Sequence, residues 1–106
     1  MTTHIRVRPE VPDDVLDITA HLIEHSPDAA RRFVDALPPT LAELAKAPGK
    51  GSIKPVRIKR FGEIRTWRVP GFPNHLIHYR VMPDGIEVLA VLHGAQNVAR
   101  VLRRRP

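Results

Sequence analysis

The chain has 106 residues, 42% of them hydrophobic and 26% charged, which suits one small globular domain and argues against a disordered chain. It contains no cysteine, which excludes disulfides, thiol nucleophiles and zinc sites with cysteine ligands. The longest apolar run, residues 88–92, is far too short to cross a bilayer, and the first ten residues lack the apolar segment of a signal peptide. We therefore expect residues 1–106 to form a single cytoplasmic domain without membrane contact.

The first elements in the chain are a short strand and a helix. Residues 5–9 alternate apolar and basic side chains until a proline ends the strand. A helix then begins at Pro12 and ends near His25, because Ser26 has the character of an N-cap for a second helix. Two helices with so short a link are expected to pack antiparallel as a hairpin.

The second helix has apolar residues on one face and is expected to end at Ala47-Pro48-Gly49. Pro38 and Pro39 lie in its middle, where proline removes a backbone donor, so a kink or a break into two short helices is expected there. The apolar stripe resumes in phase after the prolines, which favours a bent helix.

From Lys50 onward the apolar period changes to two, which predicts strands near residues 56–59, 64–69, 75–82 and 86–93. The links between them are too short for helical crossovers, so the four strands form an antiparallel meander. The last strand is mostly apolar, as a strand buried on both sides would be. The predicted class is α+β: an N-terminal strand, a helical hairpin covering one sheet face, and a four-stranded antiparallel meander.

The positive charge is concentrated in the second half of the chain. The net charge is +6, but residues 1–48 balance at −3 and residues 49–106 at +9. A segment with this much positive charge favours binding to polyanions or to acidic protein surfaces. We expect its surplus cations on the sheet face that the helices leave uncovered and in a basic tail, residues 98–105. The alternative is a solvated basic face that only helps solubility.

Four segments between residues 41 and 97 together carry a resemblance to a known family. They are residues 41–49, Ile64-Arg65-Thr66-Trp67-Arg68-Val69, His78-Tyr79-Arg80-Val81, and residues 86–97, which end in His93-Gly94-Ala95-Gln96-Asn97. In this order and spacing the chain resembles, over residues 5–97, the ParE branch of the RelE/ParE superfamily, the toxins of bacterial type II toxin–antitoxin systems. The resemblance implies the RelE/ParE toxin fold and growth arrest.

The same resemblance implies partners and targets. It implies a small acidic antitoxin whose C-terminal segment wraps the toxin, a higher-order toxin–antitoxin complex, and no cofactor or metal. ParE-like relatives inhibit DNA gyrase through protein contact, whereas RelE-like relatives cut messenger RNA on the ribosome. A third hypothesis, from another class, is a nucleic-acid-binding module without toxicity.

RNA cleavage at a 2′-hydroxyl needs a base, an acid and cations that converge on one phosphate. The catalytic candidates for that reaction are His93, Arg68, Arg80 and Lys59. Three of them have a plainer interpretation: His93 ends a strand and can bond a neighbouring loop, and the two arginines can pair with acidic side chains rather than meet across the sheet as a phosphate clamp. These residues share no single motif, so we favour a protein-binding toxin over an enzyme.

Partner binding is assigned to cations and one aromatic residue of the second half. The candidates are Arg57, Lys59, Arg65, Trp67, Arg68, Arg80, Arg100 and Arg103. Arg65 and Trp67 share a strand face, which predicts a cation–π or base-stacking surface, although Trp67 fits the core equally well. Tyr79, the only tyrosine, is in phase with core residues, so we expect it to be buried with its hydroxyl bonded at the edge.

Overall fold

The computed structural model describes residues 3–106 and contains one sheet with helices on both faces. Its elements are β1 His4–Val7, α1 Val11–His25, α2 Pro27–Lys46, a 3₁₀ turn Pro48–Lys50, β2 Ser52–Ile58, β3 Gly62–Val69, β4 Phe72–Met82, β5 Gly85–His93 and α3 Val98–Arg104. The predicted α+β architecture of strand, helical hairpin and antiparallel meander is confirmed. Within residues 3–106, no helix is long and apolar enough to span a membrane.

The sheet has five strands in the order β1-β5-β4-β3-β2. The meander strands are antiparallel, and β1 joins them parallel to β5, so the sheet is mixed. Gly85 allows this close pairing, because its φ is +153° and a Cβ there would lie 1.8 Å from the carbonyl oxygen of His4. The strand β5 is buried along its whole length except at His93, as its apolar sequence predicts.

The helical hairpin begins and ends where the sequence indicates. Ser26 is the N-cap of α2, and its hydroxyl accepts a hydrogen bond from the backbone N–H of Ala29 at 3.1 Å. Of the two outcomes expected at Pro38-Pro39, the break into two helices does not occur: α2 continues through both prolines as one helix, in line with the continuous helix that the apolar stripe favoured. The carbonyl groups that lose their donors belong to Val34 and Asp35, and both residues are exposed, so water can bond these carbonyls instead.

Each face of the sheet has its own core. The hairpin packs on one face around Phe33, Leu44, Ile77 and Tyr79.

The other face of the sheet is not the bare cationic surface that the sequence predicted, because the predicted basic tail folds as α3 and covers it. The helix α3 buries Val98, Ala99 and Leu102 against strand residues that include Ile58, Ile64 and Leu89, which leaves its arginines on the outside.

Candidate functional site

Two of the predicted partner-binding arginines are bonded within the protein itself. Arg65 donates from Nη1 to the carbonyl of Gly51 at 2.7 Å and to that of Gly49 at 3.2 Å, and its Nη2 lies 3.6 Å from Glu63. Arg80 donates from Nε to a carboxylate oxygen of Glu87 at 2.8 Å. Both guanidinium groups therefore fasten neighbouring segments together, and their charges are partly compensated.

The predicted clamp of Arg68 and Arg80 does not form. The two residues lie on adjacent strands, but Arg68 is opposite Leu76 and Arg80 is opposite Glu87 in the strand register. Arg80 therefore lies four residues along β4 from the partner of Arg68. With about 3.3 Å of rise per residue, two side chains in these positions do not grip one phosphate between them.

Trp67 and Arg68 lie where β2 no longer covers the edge of β3. The first residue of β2, Ser52, is opposite Thr66, so the following part of β3 borders an open groove of about 640 Å³. The ring of Trp67 is half-buried, and the Lys50 ammonium lies 4.9 Å from its centroid. Lys50 thus makes the cation–π contact that the sequence assigned to Arg65.

Tyr79 and His78 are core residues rather than surface catalysts. Tyr79 is fully buried, and its hydroxyl donates to the carbonyl of Pro48 at 2.6 Å and accepts from the N–H of Gly51 at 2.9 Å, which confirms the predicted position. Burial raises its pKa. His78 shares a hydrogen bond of 2.9 Å with the Thr66 hydroxyl, and burial together with the charge of Lys54 lowers its pKa to about 4.

His93 lies at the end of β5, as predicted, and is bonded to the loop that follows. Its Nδ1 accepts from the N–H of Ala95 at 3.0 Å, while its backbone N–H donates to the side-chain oxygen of Gln96 at 2.9 Å. Its ring packs edge-to-face on that of His75, with centroids 5.4 Å apart. His93 therefore has the position of the plainer interpretation, in which a histidine at the end of a strand bonds a neighbouring loop.

The four catalytic candidates lie at different places on the sheet. His93 is opposite His75, on the face that also packs against Phe33 of the hairpin. Arg68 is opposite Leu76, the next residue of β4, and successive strand residues point to opposite faces. Lys59 follows the end of β2, at the end of the sheet where β5 begins, whereas His93 is where β5 ends. The structure does not bring these groups together.

Four free arginines gather instead in a groove between α3 and β2, which we call the arginine groove. It has a volume of about 700 Å³ and is lined by Pro55, Val56, Arg57, Asn97, Ala99, Arg100, Arg103 and Arg104. Within residues 3–106, its four arginines make no ion pair and no side-chain hydrogen bond. Sequence analysis proposed three of these arginines as binding residues but gave no sign that they share a groove.

One arginine of the predicted tail has a different role. Arg105 forms an ion pair with Asp14 of α1, and its Nη1 also donates to the carbonyl of Leu89 at 3.0 Å. The Asp14 carboxylate accepts a further bond from the N–H of Val91 at 3.1 Å. These groups cover the edge of β5 beyond the last residue of β1, so Arg105 is not available to a partner.

Comparison with known proteins gives two findings. Residues 5–98 match the family model described as ParE toxin of type II toxin-antitoxin system, parDE. The chain is also 34% identical over 86 residues to a protein of Sinorhizobium fredii (strain NBRC 101917 / NGR234) named "Putative toxin Y4kP", an alignment that covers 81% of this chain and 82% of that protein.

Proposed function

Because the chain belongs to the ParE toxin family of type II toxin–antitoxin systems, we propose that it arrests growth through protein contact with DNA gyrase. In this proposal residues 1–106 act as one toxin domain, and a small acidic antitoxin encoded beside it neutralises that domain. Membership of the family implies the antitoxin partner. The gyrase target and the acidic chemistry of the partner are the proposed parts.

The observation that carries the proposal is the separation of the catalytic candidates. A nuclease has to place an acid, a base and cations around one phosphate. Here His93 and Arg68 point to opposite faces of the sheet, and Arg80 is paired with Glu87. A toxin that works by binding needs no such convergence.

The distribution of charge supports the acidic partner. Arg57, Lys59, Arg68, Arg100 and Arg103 are exposed and make no ion pair within residues 3–106. Unpaired cations of one sign repel each other, and a partner of opposite charge relieves that repulsion while it speeds association.

Growth on induction tests the toxin assignment. We expect wild-type protein to arrest growth when expressed alone, and co-expression of the adjacent reading frame to restore growth. The variant His93→Gln is expected to remain toxic, because the ring is bonded to its own loop and serves no reaction. Normal growth with the wild-type chain would reject the toxin, and loss of toxicity in a folded His93→Gln protein would favour a nuclease.

The target is tested in the arrested cells. Gyrase poisoning predicts stalled DNA cleavage complexes and a DNA-damage response before any change in messenger RNA. Primer extension on abundant messages should then show no new cleavage sites. Early message cleavage without DNA damage would replace the gyrase proposal by ribosome-dependent RNA cleavage.

A further inference from the structure

We propose that the arginine groove is the docking site for an acidic amphipathic helix of a partner protein. The inference deepens the proposed function, because it rests on neutralisation by an acidic partner and assigns that partner a surface. It also specifies the shape of the ligand: a helix with carboxylates along one side and a small apolar residue between them.

The spacing of the cations favours a helical ligand. Arg100, Arg103 and Arg104 occupy positions i, i+3 and i+4 of α3, so they form a row on one side of the helix. Arg57 of β2 closes the groove from the other wall. Carboxylates at positions i, i+3 and i+4 of a second helix repeat at the same interval along their axis. The two rows can therefore pair residue by residue.

Three apolar residues line the groove beside its arginines, and we call them its floor. They favour a peptide over a nucleic acid as the ligand. Ala99 is buried, Val56 is half-buried, and Pro55 adds a third apolar side chain. A phosphate backbone offers no apolar group for this floor. No tryptophan, tyrosine or phenylalanine lines the groove, so bases have no ring on which to stack. An amphipathic peptide matches both the apolar floor and the charged walls.

The neighbouring strand edge does not suit the addition of another strand. β2 lies at the edge of the sheet, but Pro55 lacks a backbone donor and the register of β2 shifts between Ile53 and Arg57. Proline and irregular register both prevent an edge strand from pairing with an incoming chain. These features disfavour backbone pairing with an added β-strand, so the ligand is recognised through its side chains, as a docked α-helix would be.

Contacts at both ends of α3 hold the groove in shape before any ligand binds. The Asn97 side chain accepts from the N–H of Arg100 at 3.0 Å and fixes the start of α3. The other end is held by Arg105, which is bonded to Asp14 and Leu89, and by Arg60, which donates to the carbonyl of Arg105 at 2.8 Å. A rigid α3 reduces the entropy that binding has to overcome.

Binding of synthetic ligands to the purified chain tests the proposal. The probe is a fluorescent helical peptide with glutamates at i, i+3 and i+4 and a central alanine, and duplex DNA of similar charge is the competing ligand. The groove variant Arg100→Gln/Arg103→Gln removes two charges, and Lys46→Gln/Arg6→Gln removes two exposed charges elsewhere. Circular dichroism and thermal unfolding check that both variants are folded.

We expect the groove variant to bind the peptide about tenfold more weakly than the wild type, and the control variant to differ by less than about threefold. Arg57→Gln, on the other wall, should weaken binding as well without any change in α3. Equal weakening in groove and control variants, or no peptide binding at all, would overturn the proposal. It would also be overturned if duplex DNA bound more tightly than the peptide and lost that affinity in the groove variant.

The outcome is separable from that of the toxin proposal. If the wild-type chain fails to arrest growth while the peptide still binds the groove specifically, the toxin assignment fails and the docking site stands. If the chain is toxic and the adjacent reading frame rescues the groove variant as fully as the wild type, with equal affinity for both, the docking site is wrong and the toxin assignment stands.

Discussion

His78 makes the stability of the protein sensitive to acid. Its folded-state pKa is lowered to about 4 by burial and by Lys54, whereas an unfolded histidine titrates near about 6.5. Below the unfolded value the unfolded chain binds more protons, so folding is penalised as the pH falls from about 6.5 toward 4. We expect the free energy of unfolding to drop by about 2 kcal/mol through this residue between pH 7 and pH 4.5.

The variant His78→Asn isolates this contribution. Its amide can keep the hydrogen bond to Thr66 but does not titrate, so its urea unfolding should lose less stability between the two pH values than the wild type loses. A pH dependence as steep as that of the wild type would show that His78 is not responsible. His75, whose pKa is lowered by burial and by His93 and His21, contributes in the same direction in both proteins.

Among the acidic residues, Asp14 is the one whose substitution should destabilise the protein most. It is buried, it pairs with Arg105, and it accepts from the N–H of Val91. Asp14→Asn leaves Arg105 without its counter-charge and should cost about 3 kcal/mol in the free energy of unfolding. Asp13→Asn, an exposed position in the same helical turn, should cost less than about 1 kcal/mol. Comparable losses in chemical denaturation would contradict this account of the pair.

At the scale of elements, α3 depends on its N-cap. The Asn97 side chain accepts from the N–H of Arg100, and Asn97→Ala should destabilise the protein by about 1 kcal/mol. Amide hydrogen exchange at Arg100 should accelerate in the alanine variant and stay near the wild-type rate in Asn97→Ser, which can restore the cap. Unchanged exchange in the alanine variant would mean that packing of Leu102 alone holds the helix.

The helices of the hairpin and the strands β3 to β5 were predictable because their signals are local, whereas β2 begins at Ser52, four residues before its expected start at residue 56. Ser26 caps the residues beside it, and the alternation that marks β3 to β5 spans only a few residues in each strand. The helix α3 has seven residues, slightly less than two turns, so its apolar stripe is short and its arginines were the stronger signal. The pair of Asp14 and Arg105 joins positions 91 residues apart, which no local pattern indicates.

The candidate site was predictable in composition but not in arrangement. The charge imbalance identified the second half as the cationic one, and three of the four arginines of the groove were named from it. Which cations stay free depends on strand register and packing: Arg65 and Arg80 looked equivalent to Arg57 in sequence, yet they are bonded to Gly51 and Glu87. These contacts form only after distant segments have been brought together by folding.

For the whole molecule, charge should govern the rate of complex formation. The Debye length falls from about 30 Å at 0.01 M salt to about 8 Å at 0.15 M, which screens the attraction that we propose between the cationic toxin and an acidic antitoxin. We expect association in stopped-flow measurements to slow by about an order of magnitude over this range. The control pair Arg6→Gln/Lys46→Gln should retain most of this dependence, and an association rate that ignores salt would rule out electrostatic steering.

The proposed inhibition of gyrase is tested most directly by the DNA cleavage reaction. Purified chain, gyrase and supercoiled plasmid are incubated with ATP, and protein-linked linear DNA is measured after denaturation. We predict that linear DNA accumulates with increasing toxin, equally for wild-type and His93→Gln protein, and disappears when the antitoxin is added. No increase in linear DNA, together with cutting of ribosome-bound message by wild-type but not by His93→Gln protein, would contradict the account.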